Sequence, residues 1–163
     1  MKNYTVLLMA ILSIVLSSCT TSFDKKIAEH IENKCFDFSE PQKCSIDITE
    51  VTNFEWDSMY VFASMTMSDE INKIIGFYCN CKHVKDNYTR IVFTKGNKIV
   101  YQSQYYGLGA VVQFRSVSKK DKYIHYSKNK SVFYALKKSN TLSEGYFYDL
   151  YPIDGERIPM YRK

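Results

Sequence analysis

Tyr88-Thr89-Arg90-Ile91-Val92-Phe93-Thr94-Lys95-Gly96-Asn97-Lys98-Ile99-Val100-Tyr101 is the stretch that decides the fold class. β-Branched and aromatic side chains dominate both halves, as pleated, half-buried strands require. Between them, Lys95-Gly96-Asn97 supplies a glycine able to take the positive φ of a hairpin turn. Strands are expected over 88–94 and 98–106, the second broken by Gly107-Leu108-Gly109. Further β segments follow at 110–117, 122–126, 131–137 and 146–151, with polar connections at 118–121, 127–130 and 138–145. Short strands joined by polar turns favour an antiparallel meander over helical crossovers.

Upstream of the hairpin the period changes. Phe23, Ile27 and Ile31 recur every four residues with Ala28 beside them, which predicts a helix over 23–34 with one apolar stripe. Ser22 is its expected N-cap, and Asp24 and Lys34 suit the two ends of its dipole. Ile46 and Ile48 alternate with Asp47 and Thr49, so a half-exposed strand is expected from Ser45, ending near Glu50 where Val51 falls out of phase. The apolar run 59–63 reads as a strand covered on both faces. Ser68, Asp69, Glu70, Ile71, Ile74, Ile75 and Gly76 describe a second helix of about two turns with a glycine stop. The expected class is α+β: an antiparallel sheet with an N-terminal helix and a second short helix packed on it, as a single domain over 23–163.

The first residues have a different character. Lys2 precedes an apolar run from Val6 to Leu16, and Leu16-Ser17-Ser18-Cys19 closes it with small side chains before a cysteine. The run is about a dozen residues long, against roughly 20 needed to cross a hydrocarbon core. Charge, length and small residues together describe an export signal. The tetrapeptide resembles the lipobox of bacterial lipoproteins. That resemblance implies a signal peptide over 1–18, lipidation of Cys19, a tether over 19–22 and a chain held on a membrane through two or three acyl groups, since one chain alone binds only marginally. It also implies location in the cell envelope. In a host with two membranes the protein would face the periplasm from the outer membrane, because Thr20 is not the aspartate that retains such proteins on the inner one.

Without the signal the chain carries 21 Lys and Arg against 17 Asp and Glu, a net +4. The cluster Lys119-Lys120-Asp121-Lys122 reads as a solvated turn, and no nucleic-acid partner is expected. Besides Cys19, four cysteines remain, and an even number in an oxidising compartment predicts disulfides. Cys35, Cys44, Cys79 and Cys81 allow three pairings. Cys35–Cys44 is favoured because it closes a short Pro41-containing loop; Cys79 and Cys81 can join each other only if the chain turns at Asn80. A four-cysteine zinc site is disfavoured by the one-residue Cys79–Cys81 spacer.

The segment Phe54-x-Trp56-Asp57-x-Met59-Tyr60-Val61-Phe62, then Glu70-Ile71-x-Lys73-Ile74-Ile75-Gly76-Phe77, then Ile91 to Val100, resembles a group of small bacterial lipoproteins and exported proteins with a Trp-Asp-x-x-Tyr segment. No catalytic residues are established in that group, so the resemblance implies fold and location but no active site. The chain has no G-x-S-x-G elbow, no H-E-x-x-H and no phosphate loop. His30, His83 and His125 lie far apart in sequence, and Glu55 with Asp57 could form a carboxylate pair, although Asp57 in a bend more often accepts backbone hydrogen bonds while Trp56 fills the core. No cofactor and no metal are expected. With 14 Tyr and 10 Phe the chain is rich in aromatic residues, most densely at Tyr105-Tyr106 and Tyr146-Phe147-Tyr148. Strand preference accounts for many of these. Tyr105, Tyr106, Tyr146 and Tyr148 are the binding candidates, since tyrosine is enriched at interfaces. The expected function is therefore a non-enzymatic, membrane-anchored lipoprotein that binds a protein or envelope component. The alternatives are an immunity-type protein that neutralises a secreted toxin, and a lipid-anchored enzyme or metal-binding protein.

Overall fold

Eight strands and three helices organise the computed structural model, which describes residues 21–115, 123–139 and 145–153. The proposed signal, Cys19, the Lys119–Lys122 cluster and Gly155 and Pro159 lie outside those residues. Helix α1 (Phe23–Lys34) forms where the four-residue period placed it, with Phe23, Ile27 and Ile31 buried. Ser22 occupies the cap position in extended backbone, but its side chain makes no cap hydrogen bond.

The expected strand from Ser45 is shorter than its alternation suggested. Strand β1 spans Ser45–Asp47, and the chain then turns into the four-residue helix α2 (Ile48–Val51). Asp47 causes the change: its Oδ1 accepts hydrogen bonds from the Thr49 backbone N–H and the Ser131 hydroxyl, both at 2.9 Å. A side-chain acceptor at this place satisfies the first free amides of a helix and competes with a sheet ladder. Ile48 still reaches the core, so its apolar phase did not distinguish the two conformations.

Strands β2 (Ser58–Phe62), β3 (Tyr88–Lys95), β4 (Lys98–Tyr106) and β6 (Tyr123–Ser127) form one sheet in the order β4-β3-β2-β6. Strands β1, β5 (Val112–Phe114), β7 (Val132–Ser139) and β8 (Tyr146–Pro152) form another in the order β1-β7-β8-β5. The expected α+β class is the one observed, but the strands do not run as one meander. β2–β3, β3–β4 and β7–β8 are sequential antiparallel pairs, whereas β6 returns to the far edge of β2, β1 joins β7, and β5 lies parallel to β8. A strand apolar on both faces, as β2 is, needs neighbours on both edges as well as cover above and below.

The β3–β4 turn contains Gly96 at φ 53°. Its amide donates to Asp57 Oδ2 at 2.8 Å, so the bend at Asp57 braces the turn as expected. Trp56 is buried, and its indole N–H donates to Thr52 Oγ1 at 3.0 Å. One large core joins α1 to both sheets. At its centre the Phe93 ring meets Phe23, Phe54 and Trp56 edge-on at 5.2, 5.3 and 5.0 Å. A second, smaller core of Phe62, Ile71, Ile75, Cys81, Val84 and Val92 lies on the opposite face of the β4-β3-β2-β6 sheet. That outer face is covered by helix α3 (Ser68–Ile75) and the loop that follows it.

Candidate functional site

Strand β3 divides its side chains by alternation: Ile91 and Phe93 enter the large core, so Arg90 and Val92 face outward. Register then builds two rows across the outer face. One reads Tyr123, Phe62, Arg90, Gln104; the next reads His125, Tyr60, Val92, Gln102. Both rows run from aromatic on β6 and β2 to amide on β4.

Arg90 is only 8% exposed, and burial lowers its pKa from the ordinary arginine value. Its partners are neutral. Nε and Nη2 donate to Gln104 Oε1 at 3.3 and 2.6 Å, and Nη1 donates to Gln102 Oε1 at 3.5 Å. Among the described residues no carboxylate pairs with it. A guanidinium has five N–H donors and stays charged in proteins, so two donors and the full charge remain uncommitted.

The opposite wall comes from the loop after α3. Gly76 ends that helix at φ 84°, Asn72 Oδ1 accepts the Cys79 amide at 2.8 Å, and the chain turns at Asn80, φ 52°. The turn brings Cys79 and Cys81 into a disulfide, and Cys81 is buried in the smaller core. With its cysteines fixed below, the loop leaves Asn80 and Lys82 exposed above. Asn80, Lys82, Arg90, Gln102, Ser103 and Gln104 line an open concavity of about 270 Å³.

The other disulfide, Cys35–Cys44, is the favoured pairing, and it ties the end of α1 to the start of β1. The four tyrosine candidates separate. Tyr106 and Tyr146 are exposed, but they lie on different sheets. Tyr105 and Tyr148 belong to the large core and cannot serve as surface contacts. The Tyr148 hydroxyl donates to Glu32 at 2.9 Å, whereas that of Tyr105 has no partner among the described residues, and burial pushes both phenols well above their usual range. The histidines do not converge: His30 contacts Glu50 at 3.0 Å, His83 lies in the loop after Cys81, and His125 stacks on Tyr60. Glu55 reaches toward Lys95 and Lys128 while Asp57 holds Gly96, so these carboxylates form no acid–base pair. Among the described residues no cluster of His, Cys, Asp and Glu could hold a metal, and no helix is long and apolar enough to cross a membrane.

Sequence reading did not single out Arg90. The available signal was a charge in phase with Val92, opposite two glutamines spaced by two residues on the partner strand. No known protein family, curated protein or solved structure matches the chain.

Proposed function

We propose that the chain is an exported lipoprotein, anchored through Cys19, that acts by binding and not by catalysis, and that its binding surface is the part of the outer face of the β4-β3-β2-β6 sheet around Arg90, beside the cover of α3 and its loop. The observation that carries this reading is the pocket at Arg90: a buried cation with neutral partners, walled by a loop that a disulfide holds in shape. Both disulfides suit an oxidising compartment, in keeping with the export signal. The anchor and the pocket are compatible in space. Phe23, at the start of α1, packs on Phe93 and Tyr101 of the inner face, so a tether just before it lies across the sheet from the Arg90 pocket. In a two-membrane host, Thr20 directs the anchored chain to the outer membrane.

The test combines location with capture. Wild type should fractionate with membranes and Cys19→Ala with the soluble fraction. Immobilised full-length chain should retain an envelope component from detergent-solubilised membranes, and Lys82→Gln should retain less of it. Membrane retention of unacylated Cys19→Ala overturns the anchor; equal capture by Lys82→Gln overturns the choice of face.

A further inference from the structure

The side-chain polar groups that the pocket at Arg90 offers are mostly donors. Gln102 and Gln104 turn their carbonyl oxygens to the guanidinium, which leaves both of their NH₂ groups as donors. Arg90 retains two N–H groups, Lys82 adds an ammonium, and neither Asp nor Glu lines the space. Two cations in a concave site attract a dianion more strongly than a single carboxylate. Arginine's fork also matches the spacing of phosphate oxygens, and lysine adds a point charge. Size agrees with more than a bare ion. At about 30 Å³ per water, the concavity holds roughly nine waters, leaving room for organic atoms beyond a phosphate's five heavy atoms.

From this we infer that the pocket formed by Arg90, Lys82, Gln102 and Gln104 binds a phosphate group, with Asn80 and Ser103 completing its wall. The inference rests on the outer face being the binding surface, and it adds the chemistry of what binds there. Arg90 fixes two oxygens from the pocket floor, the glutamine amides donate from the β4 side, and Lys82 closes over the group from the rim. The Cys79–Cys81 link keeps Lys82 at that rim.

The experiment is calorimetric titration of the full-length chain, purified in detergent at low salt, with inorganic phosphate, glycerol phosphate and acetate. Saturable binding of both phosphates, with acetate weaker, is the expected result, and tighter binding of glycerol phosphate identifies an ester as the source instead of the free ion. Arg90→Gln should weaken binding by about 10- to 100-fold, the range for hydrogen bonds to charged groups, and Lys82→Gln, at the exposed rim, by about three- to tenfold. Gln102→Glu gives an independent check, because it alters an exposed side chain and supplies Arg90 with an internal carboxylate. It should abolish phosphate binding while raising the unfolding midpoint. Absence of saturable phosphate binding, acetate binding as tight as phosphate, or unchanged binding in both Lys82→Gln and Gln102→Glu overturns the inference. These results are separable from the capture experiment: loss of capture in Lys82→Gln without phosphate binding keeps the face and rejects the ligand class.

Discussion

Asp149 on β8 and Arg90 on β3 are both charged residues buried in the middle of strands, and the fold treats them differently. Asp149 is fully buried and bonded on two sides: Arg115 Nε lies 2.6 Å from Oδ1, and Lys138 of the adjacent β7 reaches Oδ2. The Tyr151 hydroxyl is 3.4 Å from the same Oδ2. Arg90 receives only the carbonyl oxygens of two glutamines. A buried charge costs several kcal/mol in lost hydration unless opposite charge and hydrogen bonds offset it. The β1-β7-β8-β5 sheet supplies that offset from its own strands. The β4-β3-β2-β6 sheet stops short, and the uncommitted charge faces a pocket. Each region also has its own disulfide. Cys35–Cys44 stands beside β7, where Cys44 C=O accepts the Ala135 amide at 3.0 Å, and Cys79–Cys81 stands beside Arg90. The contrast separates a charge that holds the fold together from one available to a ligand.

The largest effect should come from removing the completed charge. Asp149→Asn leaves two cations against a neutral amide, and loss of one partner of a buried pair costs about 3–5 kcal/mol. Side chains of Arg115 and Lys138 are 41% and 28% exposed, so both can turn toward water. About 3 kcal/mol is therefore expected, read as a lower urea midpoint with unchanged slope. A loss near zero would mean that Asp149 is no more a structural charge than Arg90, and the contrast would collapse.

The two disulfides should differ in the same sense. Cys35 and Cys44 are nine residues apart and Cys79 and Cys81 two. On the chain-entropy account, replacing the first pair by serine costs about 2–3 kcal/mol and the second about 1–2 kcal/mol. Phosphate titration should show the reverse order, with Cys79→Ser/Cys81→Ser weakening binding and Cys35→Ser/Cys44→Ser leaving it unchanged. Equal effects on binding would show that the loop's closure does not shape the pocket.

Legibility in the sequence followed the range of the interactions. Helix α1 and the β3–β4 hairpin were readable because their periods persist over many residues and end at recognisable stops. The β1–α2 boundary was not, since five alternating residues suit a strand until Asp47 finds Thr49 and Ser131, the latter 84 residues away. Parallel pairing of β5 with β8 rests on a partner some thirty residues on and leaves no local mark. Alternation makes the adjacent Tyr105 and Tyr106 face opposite ways, and the irregularity between Phe93 and Thr94 sets which one turns inward. Tyr146 and Tyr148 share a phase, yet one is 62% and the other 2% exposed, because Tyr146 lies at the strand's first residue while Tyr148 packs against Phe38 in the large core. Arg90 was visible as a letter, but its lack of an acid depends on neighbours that only the register supplies.

The smallest expected change in stability is also the sharpest test of the contrast. Arg90→Met keeps an unbranched stem of similar length against Phe62 and the β4 side chains, and it removes a charge whose partners are neutral. Three hydrogen bonds are lost, one of them long at 3.5 Å. The glutamine carbonyls they leave are not stranded, because Gln102 is exposed and Gln104 half-buried, so water replaces the guanidinium. Against that loss stands the recovered desolvation of the arginine, which is why apolar replacement of a buried charge is often neutral or favourable. The unfolding free energy should stay within about 1 kcal/mol of wild type or rise, while phosphate binding disappears. Gain or parity in stability together with loss of binding is the signature of a residue retained for its ligand. A loss as large as that of Asp149→Asn would instead place Arg90 among the groups that hold the fold.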